Sequence, residues 1–245
     1  MAKRKEEVVL DLSAAMREFF PKVVEKGFRL NDLEDDGFFK YEAIREGGGE
    51  DYAGVRVVIA VGPNGSGKSL IGRLMESVVL IQKKSFRMVS MKNRTSGEMG
   101  QRLVFGCEND QATGLNTVGA VGMLLKSIQQ EALAGGGGGL DEPTLGLSPE
   151  FSGAVGQEVA RVLGEAQNHY LFVASHDRVF LRGLVDGLRA AGIGWLFVEF
   201  ECEGEPQGAD AWLGRAIVAR SWAELEEREK KAFKMWRKVE TLLRG

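Results

Sequence analysis

The chain has 245 residues, of which 44% are hydrophobic and 27% charged, and its formal net charge is -3. The length and composition indicate one large globular domain or a domain with a small appendage. The net charge of the whole chain does not indicate nucleic-acid binding. Two cysteines make no disulfide framework, Val8-Val9-Leu10 is too short for a signal-peptide core, and no apolar run approaches the roughly 20 residues of a membrane span. We therefore expect a soluble, cytoplasmic protein with no membrane partner.

The first quarter of the chain predicts a helix followed by short strands. Apolar residues recur at three- and four-residue steps across residues 11–27, which is the period of a helix. The apolar runs 28–30 and 38–44 flank an acidic turn and are typical of strands. We predict an N-terminal antiparallel β layer over about residues 28–50, beside the main sheet.

A glycine-rich loop follows the β-branched run 55–61 and precedes a helical pattern over 70–82. Its sequence fits G-x-x-x-x-G-K-[ST], in the strand, loop and helix context of a phosphate-binding loop. Glycines let successive N–H groups point at one anion, while Lys68 would reach the β- and γ-phosphates and the Ser69 hydroxyl would hold Mg²⁺. The residues predicted to bind a nucleoside triphosphate are Gly62, Asn64, Gly65, Ser66, Gly67, Lys68 and Ser69.

A basic stretch lies between residues 83 and 102, where six lysines and arginines stand against the single acid Glu98. Such a stretch can contact a polyanion such as a DNA backbone. A solvated basic face is the commoner explanation of a charge cluster, and both interpretations stay open. The apolar runs 86–91 and 102–106 within and after it predict strands.

The second half alternates helical patterns with apolar strands. Helices are predicted over the apolar stripe from Val118 to Ile128, which follows residues 113–117, from the Ser148-Pro149-Glu150 cap and over about 179–191. Buried strands are predicted over 170–174 and 195–200. This alternation predicts a largely parallel α/β sheet. We assign residues 1–210 to one domain and 211–245 to a helical C-terminal extension. The seam of that helix, with Leu225 at its start, could pair with another helix, but it is expected to pack on its own domain.

Two further groups belong with the phosphate loop. Two adjacent carboxylates after a strand can have different functions. Asp141 would organise Mg²⁺ through its water shell, and Glu142 would orient or deprotonate the attacking water. His176 directly follows the strand over 170–174, at the sheet edge where ligands bind. A neutral imidazole there could hydrogen-bond the γ-phosphate and the attacking water, although a lone histidine is more often structural.

The strand before Asp141 is unusual because it is the glycine run 135–139. Each glycine inside a strand costs roughly 0.5–1 kcal/mol relative to alanine. We expect the missing side chains to leave the core unfilled and the carboxylates poorly positioned, and we expect weak turnover for that reason.

These motifs together resemble the ABC-type ATPases. The resemblance covers most of residues 50–200, with Gly62–Ser69 as Walker A, Leu140–Pro143 as Walker B and Ser175–Asp177 as the switch-histidine loop. Thr113-Gly114-Leu115-Asn116 lies where the signature motif should open a helix, and it departs from the family pattern at Thr113 and Leu115. The spacing is similar to that of the SMC and DNA-repair branch, and the absence of heptads between the motifs resembles its compact phage or plasmid members.

The resemblance implies a P-loop NTPase fold and an ATP-sandwiched head-to-tail homodimer. Thr113 and Gly114 of one subunit would face the γ-phosphate held by the other. The D-loop position carries Ser148 where an aspartate is common, which puts communication between the two sites in doubt. The Q-loop glutamine stays open among three residues, Gln82, Gln101 and Gln111.

Three functions follow as hypotheses. The first is an ATPase that uses Mg²⁺ and acts with DNA or another protein partner. The second is an ATP-binding interaction module without efficient hydrolysis, which the glycine run and Ser148 favour. The third, a transporter's nucleotide-binding subunit, ranks below both because the signature spacing is unlike that class.

Overall fold

A computed structural model of the chain describes residues 41–46, 55–69, 72, 76, 84–90, 113–132, 134–200 and 208–244. The strands are β1 Tyr41–Glu46, β2 Val55–Val61, β3 Ser85–Val89, β4 Gly136–Asp141, β5 His169–Ala174 and β6 Gly194–Phe200. The helices are α1 Thr113–Gln130, α2 Pro149–Glu165, α3 Arg178–Ala190, α4 Ala209–Gly214 and α5 Trp222–Arg244. Lys68, Ser69, Gly72 and Glu76 are also helical.

The strands form one sheet in the order β1-β6-β2-β5-β4-β3. Strands β2 to β6 pair in parallel, whereas β1 pairs antiparallel with β6. The predicted α/β class with a mainly parallel sheet is therefore confirmed. Of the predicted N-terminal layer, the described part is β1, which is an edge strand of this same sheet.

The central strands are buried because helices lie on both faces of the sheet. Val57, Ile59 and Val61 belong to the core that α1, α2 and α3 complete. The alternate side chains point to the opposite face, where a Cβ on helical Gly72 would lie 2.7 Å from the ring of Phe172. Burial on two faces explains why these strands are continuous apolar runs rather than alternating ones.

The glycine run forms the predicted strand, but the expectation that it leaves the core unfilled is wrong at two described positions. A Cβ on Gly138 would lie 3.1 Å from Leu124 Cδ1 and 3.5 Å from Ile128 Cδ1, both on α1. On the other face, a Cβ on Gly139 would meet the side chains of Met88 and Phe86. Long side chains of the neighbouring elements reach the strand backbone and occupy this space.

Helices α2 and α3 pack through glycines that bring their backbones into contact. A Cβ on Gly156 of α2 would meet Phe180 O and would lie 2.6 Å from Leu184 N. A Cβ on Gly183 of α3 would lie 2.9 Å from the carbonyl carbon of Gly153. The pair is held at a separation that leaves no room for a methyl group at these positions.

We expect Gly156→Ala to destabilise the fold by about 1–3 kcal/mol, because the new methyl group forces α2 away from α3. Gly164→Ala, in the same helix, is the matched control. A Cβ there meets only Ala191 Cβ, at 3.6 Å, so the higher helix propensity of alanine should stabilise the protein by up to about 1 kcal/mol. Urea unfolding of both variants measures the difference. Equal free energies of unfolding would contradict the close packing.

The C-terminal extension differs from the prediction in two ways. The short helix α4 was not predicted, and its Trp212 packs edge-on against Phe197 of β6 with ring centroids 6.1 Å apart. Leu225, at the start of the predicted seam, is exposed, so its expected packing on the domain is wrong. Helix α5 begins instead with a capping box, in which Ser221 N donates to Glu224 Oε2 (2.7 Å) and Glu224 N to Ser221 Oγ (3.3 Å).

Several predicted elements lie outside the described residues. They are the helix over 11–27, the strands over 28–30 and 102–106, most of the helix over 70–82, Lys83 and the basic residues beyond position 90, and the three Q-loop glutamines. Within the described part of the chain, no helix combines the length and apolar character needed to cross a membrane.

Candidate functional site

Three neighbouring strands end at one edge of the sheet and bring the predicted site residues together. Ala174 of β5 is in register with Ala60 of β2 on one side and with Asp141 of β4 on the other. The chain continues from these ends into the glycine-rich loop, the Glu142 loop and the His176 loop. Backbone hydrogen bonds extend the alignment, from Ser175 N to Ala60 O (3.2 Å) and from Glu142 N to Ala174 O (2.8 Å).

The loop from residue 62 to 67 has the backbone that its glycines allow. Gly62, Gly65 and Gly67 have φ angles of 135°, 77° and 100°, in the region that favours glycine. Gly62 also lies against β6, since a Cβ there would come within 2.9 Å of Phe200 O. A tight, left-handed loop leading into helical Lys68 and Ser69 is the geometry that turns several N–H groups toward one anion.

Lys68 is buried and folds back over this loop. Its ammonium donates to Gly62 O at 2.8 Å and to Pro63 O at 2.9 Å. Ser66 is also buried, and its hydroxyl oxygen has no hydrogen-bond partner among the described residues. Because an unmatched buried hydroxyl costs free energy, a ligand oxygen at the loop would compensate for it. The loop therefore fits a phosphate group.

Ser69 and Asp141 form the contact between the loop and β4. The Ser69 hydroxyl donates to Asp141 Oδ2 at 2.8 Å. Adjacent ligands of an octahedral Mg²⁺ ion at 2.0–2.1 Å lie about 2.9 Å apart, so these two oxygens suit neighbouring positions on one ion. No group of three or more histidine, cysteine or acidic side chains able to hold a metal exists among the described residues. Mg²⁺ bound with a nucleotide does not need one, because phosphates and water complete its shell.

Glu142 and His176 form the second contact of the site. His176 Nδ1 lies 2.7 Å from Glu142 Oε1, and Glu142 Oε2 accepts from Ser175 Oγ (3.3 Å) and His176 N (3.4 Å). Among the described residues other than glycine, Glu142 alone has a positive φ, 52°. Such a conformation costs about 1–3 kcal/mol and persists where the surroundings impose it, often at functional sites. The strain here places a carboxylate beside an imidazole.

The hydrogen bond that His176 makes to Glu142 raises the pKa of His176, together with the charges of Glu142 and Asp177. Partial burial and the positive charge of Lys68 oppose this effect without reversing it. Because the pKa in the folded state exceeds the ordinary 6.5, the pair stabilises the fold fully below that pH. The contribution is lost as pH rises through the raised pKa. With Nδ1 committed to Glu142, Nε2 can donate a hydrogen bond while the ring is protonated.

Two residues that were absent from the predicted site, Thr144 and Ser175, connect its loops. Thr144 Oγ1 donates to Asp177 Oδ2 at 2.7 Å, and Ser175 Oγ accepts from Asp177 N at 3.1 Å while donating to Glu142. Asp177 also caps α3 by accepting from Val179 N and Phe180 N. Ser175 lies in the Ser175–Asp177 motif and Thr144 two residues after Glu142, but no role was predicted for either residue from the sequence.

Thr113 and Gly114 lie at the first turn of α1, next to the turn that follows Glu142. A Cβ on Gly114 would lie 2.5 Å from Gly146 O, so the described contacts of Gly114 are with this turn rather than with the phosphate loop. Thr117, one helical turn on, donates to Leu145 O at 2.8 Å. Asn116 is buried, and its amide nitrogen and oxygen have no partner among the described residues.

Asn64 and Gly65 are exposed at the tip of the glycine-rich loop. Behind it, Ser69 contacts Asp141, Glu142 contacts His176, and the charge of Lys68 acts on His176. A scan against models of known protein families found no match, and neither did searches for similar characterised proteins and for similar solved structures.

Proposed function

We propose that this chain is an ABC-type P-loop ATPase that binds ATP with Mg²⁺ at the Gly62–Ser69 loop and hydrolyses it. The observation that carries the proposal is the 2.8 Å hydrogen bond from Ser69 to Asp141. It joins the phosphate loop to the paired carboxylates, residues that stand far apart in the sequence. A glycine turn with no function would not be expected to contact an acidic pair at the end of β4, which is separated from β2 by β5 in the sheet.

Each residue has a distinct task in the proposed reaction. The loop N–H groups and the Lys68 ammonium bind the phosphates, and Ser69 and Asp141 hold Mg²⁺, which when bound neutralises charge that develops on the phosphate oxygens. Glu142 accepts a proton from the attacking water or orients it. His176, protonated beside Glu142, donates from Nε2 to the γ-phosphate. This role requires a protonated imidazole, whereas a neutral one was expected from the sequence.

The proposed active form is a head-to-tail homodimer. Its support is the resemblance of the motifs to the ABC-type ATPases, together with the position of Thr113 and Gly114 at the start of α1. In the dimer, Thr113 and Gly114 at the start of α1 would approach the nucleotide bound by the second subunit.

DNA is the proposed partner, on the strength of the basic stretch between residues 83 and 102. Among the described residues of this stretch, Arg87 supports DNA binding. Its side chain is exposed and forms a 3.8 Å ion pair with Glu131. An exposed ion pair of this length is weak and leaves the guanidinium accessible to a phosphate. A cytoplasmic location accords with such a partner.

Three measurements on the wild-type chain test the proposal. We expect Mg²⁺-dependent binding of a fluorescent ATP analogue, phosphate release from ATP, and a doubling of mass in light scattering when ATP is added. Duplex DNA should accelerate phosphate release, and raising the salt concentration should abolish that acceleration. Binding without phosphate release would identify the interaction module instead. Absence of both binding and release would refute the proposed function.

A further inference from the structure

Thr144 stands two residues after Glu142 and makes a contact that the reaction described above does not use. It is buried, and its hydroxyl donates to Asp177 Oδ2 at 2.7 Å. Asp177 is the residue after His176. The loop that carries the carboxylate is thus tied to the loop that carries the imidazole at a second point, beside the direct contact between Glu142 and His176.

We propose that Thr144 is a positioning residue, whose hydroxyl holds the Glu142 loop and the His176 loop at the separation that keeps the imidazole against the carboxylate. Its role in turnover rests on the proposed ATPase function. Its effect on the geometry of Glu142 and His176 does not, because it follows from contacts within the described loops.

The hydrogen bonds around Asp177 explain why one hydroxyl matters. Asp177 Oδ1 accepts from Val179 N (2.9 Å) and Phe180 N (3.1 Å), so this carboxylate is attached to the start of α3. Its other oxygen reaches across to Thr144. Asp177 therefore connects the start of α3 to the Glu142 loop, and it fixes the backbone directly after His176.

The charge state of Asp177 agrees with this arrangement. Burial acts to raise its pKa, but hydrogen bonds from Thr144, Ser152 and the two backbone N–H groups outweigh burial and lower the pKa. The carboxylate therefore stays ionised and keeps accepting from Thr144 across the neutral pH range. Its negative charge also contributes to the raised pKa of His176.

The alternative is that Thr144 only adds stability, as any buried hydroxyl with a partner does. Thr117 offers a matched comparison, because its buried hydroxyl donates to Leu145 O at 2.8 Å in the same turn. Removing it costs a hydrogen bond of similar length without touching the His176 loop. A purely stabilising role predicts the same consequences for both threonines.

The chain contains two histidines, so NMR titration of the imidazole resonances of the full-length protein reads His176 directly. The other, His169, lies at the opposite end of β5 and serves as an internal reference. Its burial lowers its pKa, with Lys84 and Arg56 adding to this effect and Glu131 opposing it. The groups that act on His176 are Glu142, Lys68 and Asp177.

In Thr144→Val we expect the pKa of His176 to fall toward its ordinary value while that of His169 stays constant. Thr144→Ser, which keeps the hydroxyl, should restore the wild-type titration. Thr117→Val should lower the melting temperature to a similar extent and leave the pKa of His176 unchanged. An unaltered His176 titration in Thr144→Val, or an equal shift in Thr117→Val, would overturn the proposal.

Kinetics provide the second measurement. We expect kcat for ATP hydrolysis to drop by roughly tenfold or more in Thr144→Val, as misplacement of a reacting group does, with KM unchanged because Lys68 is untouched. Thr144→Ser should recover kcat. A wild-type chain that does not hydrolyse ATP would refute the proposed function, whereas the NMR titration would still decide the role of Thr144. Unchanged kcat in Thr144→Val, with an active wild type, would refute the inference alone.

Discussion

Replacing Lys68 with alanine should weaken ATP binding by about 100-fold, the loss expected for two charge-assisted hydrogen bonds to phosphate oxygens. The ammonium already lies over the loop, 2.8 Å from Gly62 O and 2.9 Å from Pro63 O. Its removal takes away both the positive charge and the contacts that brace the loop. Equilibrium binding of a fluorescent ATP analogue, with and without Mg²⁺, measures the effect.

The control for this prediction is Lys126→Ala, which removes an exposed lysine from α1 and should leave the affinity unchanged. Lys68→Arg separates charge from shape. It keeps the positive charge, but a planar guanidinium does not fit where a compact ammonium reaches two carbonyls of one tight loop, so we expect it to bind poorly as well. Melting curves show whether each variant is folded. Wild-type affinity in a folded Lys68→Ala variant would exclude the loop as the nucleotide site.

The strands and the site edge were predictable because burial and loop chemistry leave local signals. The apolar run 170–174 became β5, His169–Ala174, and the run 195–200 became β6, Gly194–Phe200. Strands covered on both faces read as unbroken apolar runs. Since parallel strands end at the same edge, the placement of Asp141 and His176 beside the glycine-rich loop followed from the order of the elements.

The contacts between elements were not predictable, because they depend on residues far apart in the sequence. Nothing local distinguishes Gly156, which must be small because Phe180 O lies against it, from Gly164, which has room for a methyl group. The link from Thr144 to Asp177 is likewise a matter of register between β4 and β5. Residue type and spacing carry no information on which hydroxyl reaches which carboxylate.

Two predictions, on the glycine run and on Leu225, were wrong. The glycine run was expected to leave empty space, but Leu124 and Met88 have side chains long enough to reach the strand backbone. The seam beginning at Leu225 was expected to pack on the domain. Leu225 is instead exposed, in a helix that begins with a capping box at Ser221 and Glu224.

Replacing Glu142 with glutamine should reduce ATP hydrolysis by about 100- to 10,000-fold, the usual contribution of a general base, while leaving ATP binding intact. The substitution keeps an oxygen that can accept from His176 but removes the negative charge and the basicity. Binding is retained because Lys68 and Ser69 are unchanged. Phosphate release and nucleotide affinity, measured on the same preparation, separate the two effects.

The same variant should accumulate as an ATP-bound dimer, because the nucleotide that joins the subunits is no longer hydrolysed. Light scattering should show twice the monomer mass with ATP and the monomer mass with ADP. Glu158→Gln is the matched control, since Glu158 is an exposed glutamate on α2 that pairs with Arg161; it should hydrolyse ATP and dissociate like the wild type. Robust hydrolysis by Glu142→Gln would show that Glu142 is not the base. If a protein that stays monomeric in light scattering hydrolysed ATP at the wild-type rate, the reaction would not require the proposed head-to-tail dimer.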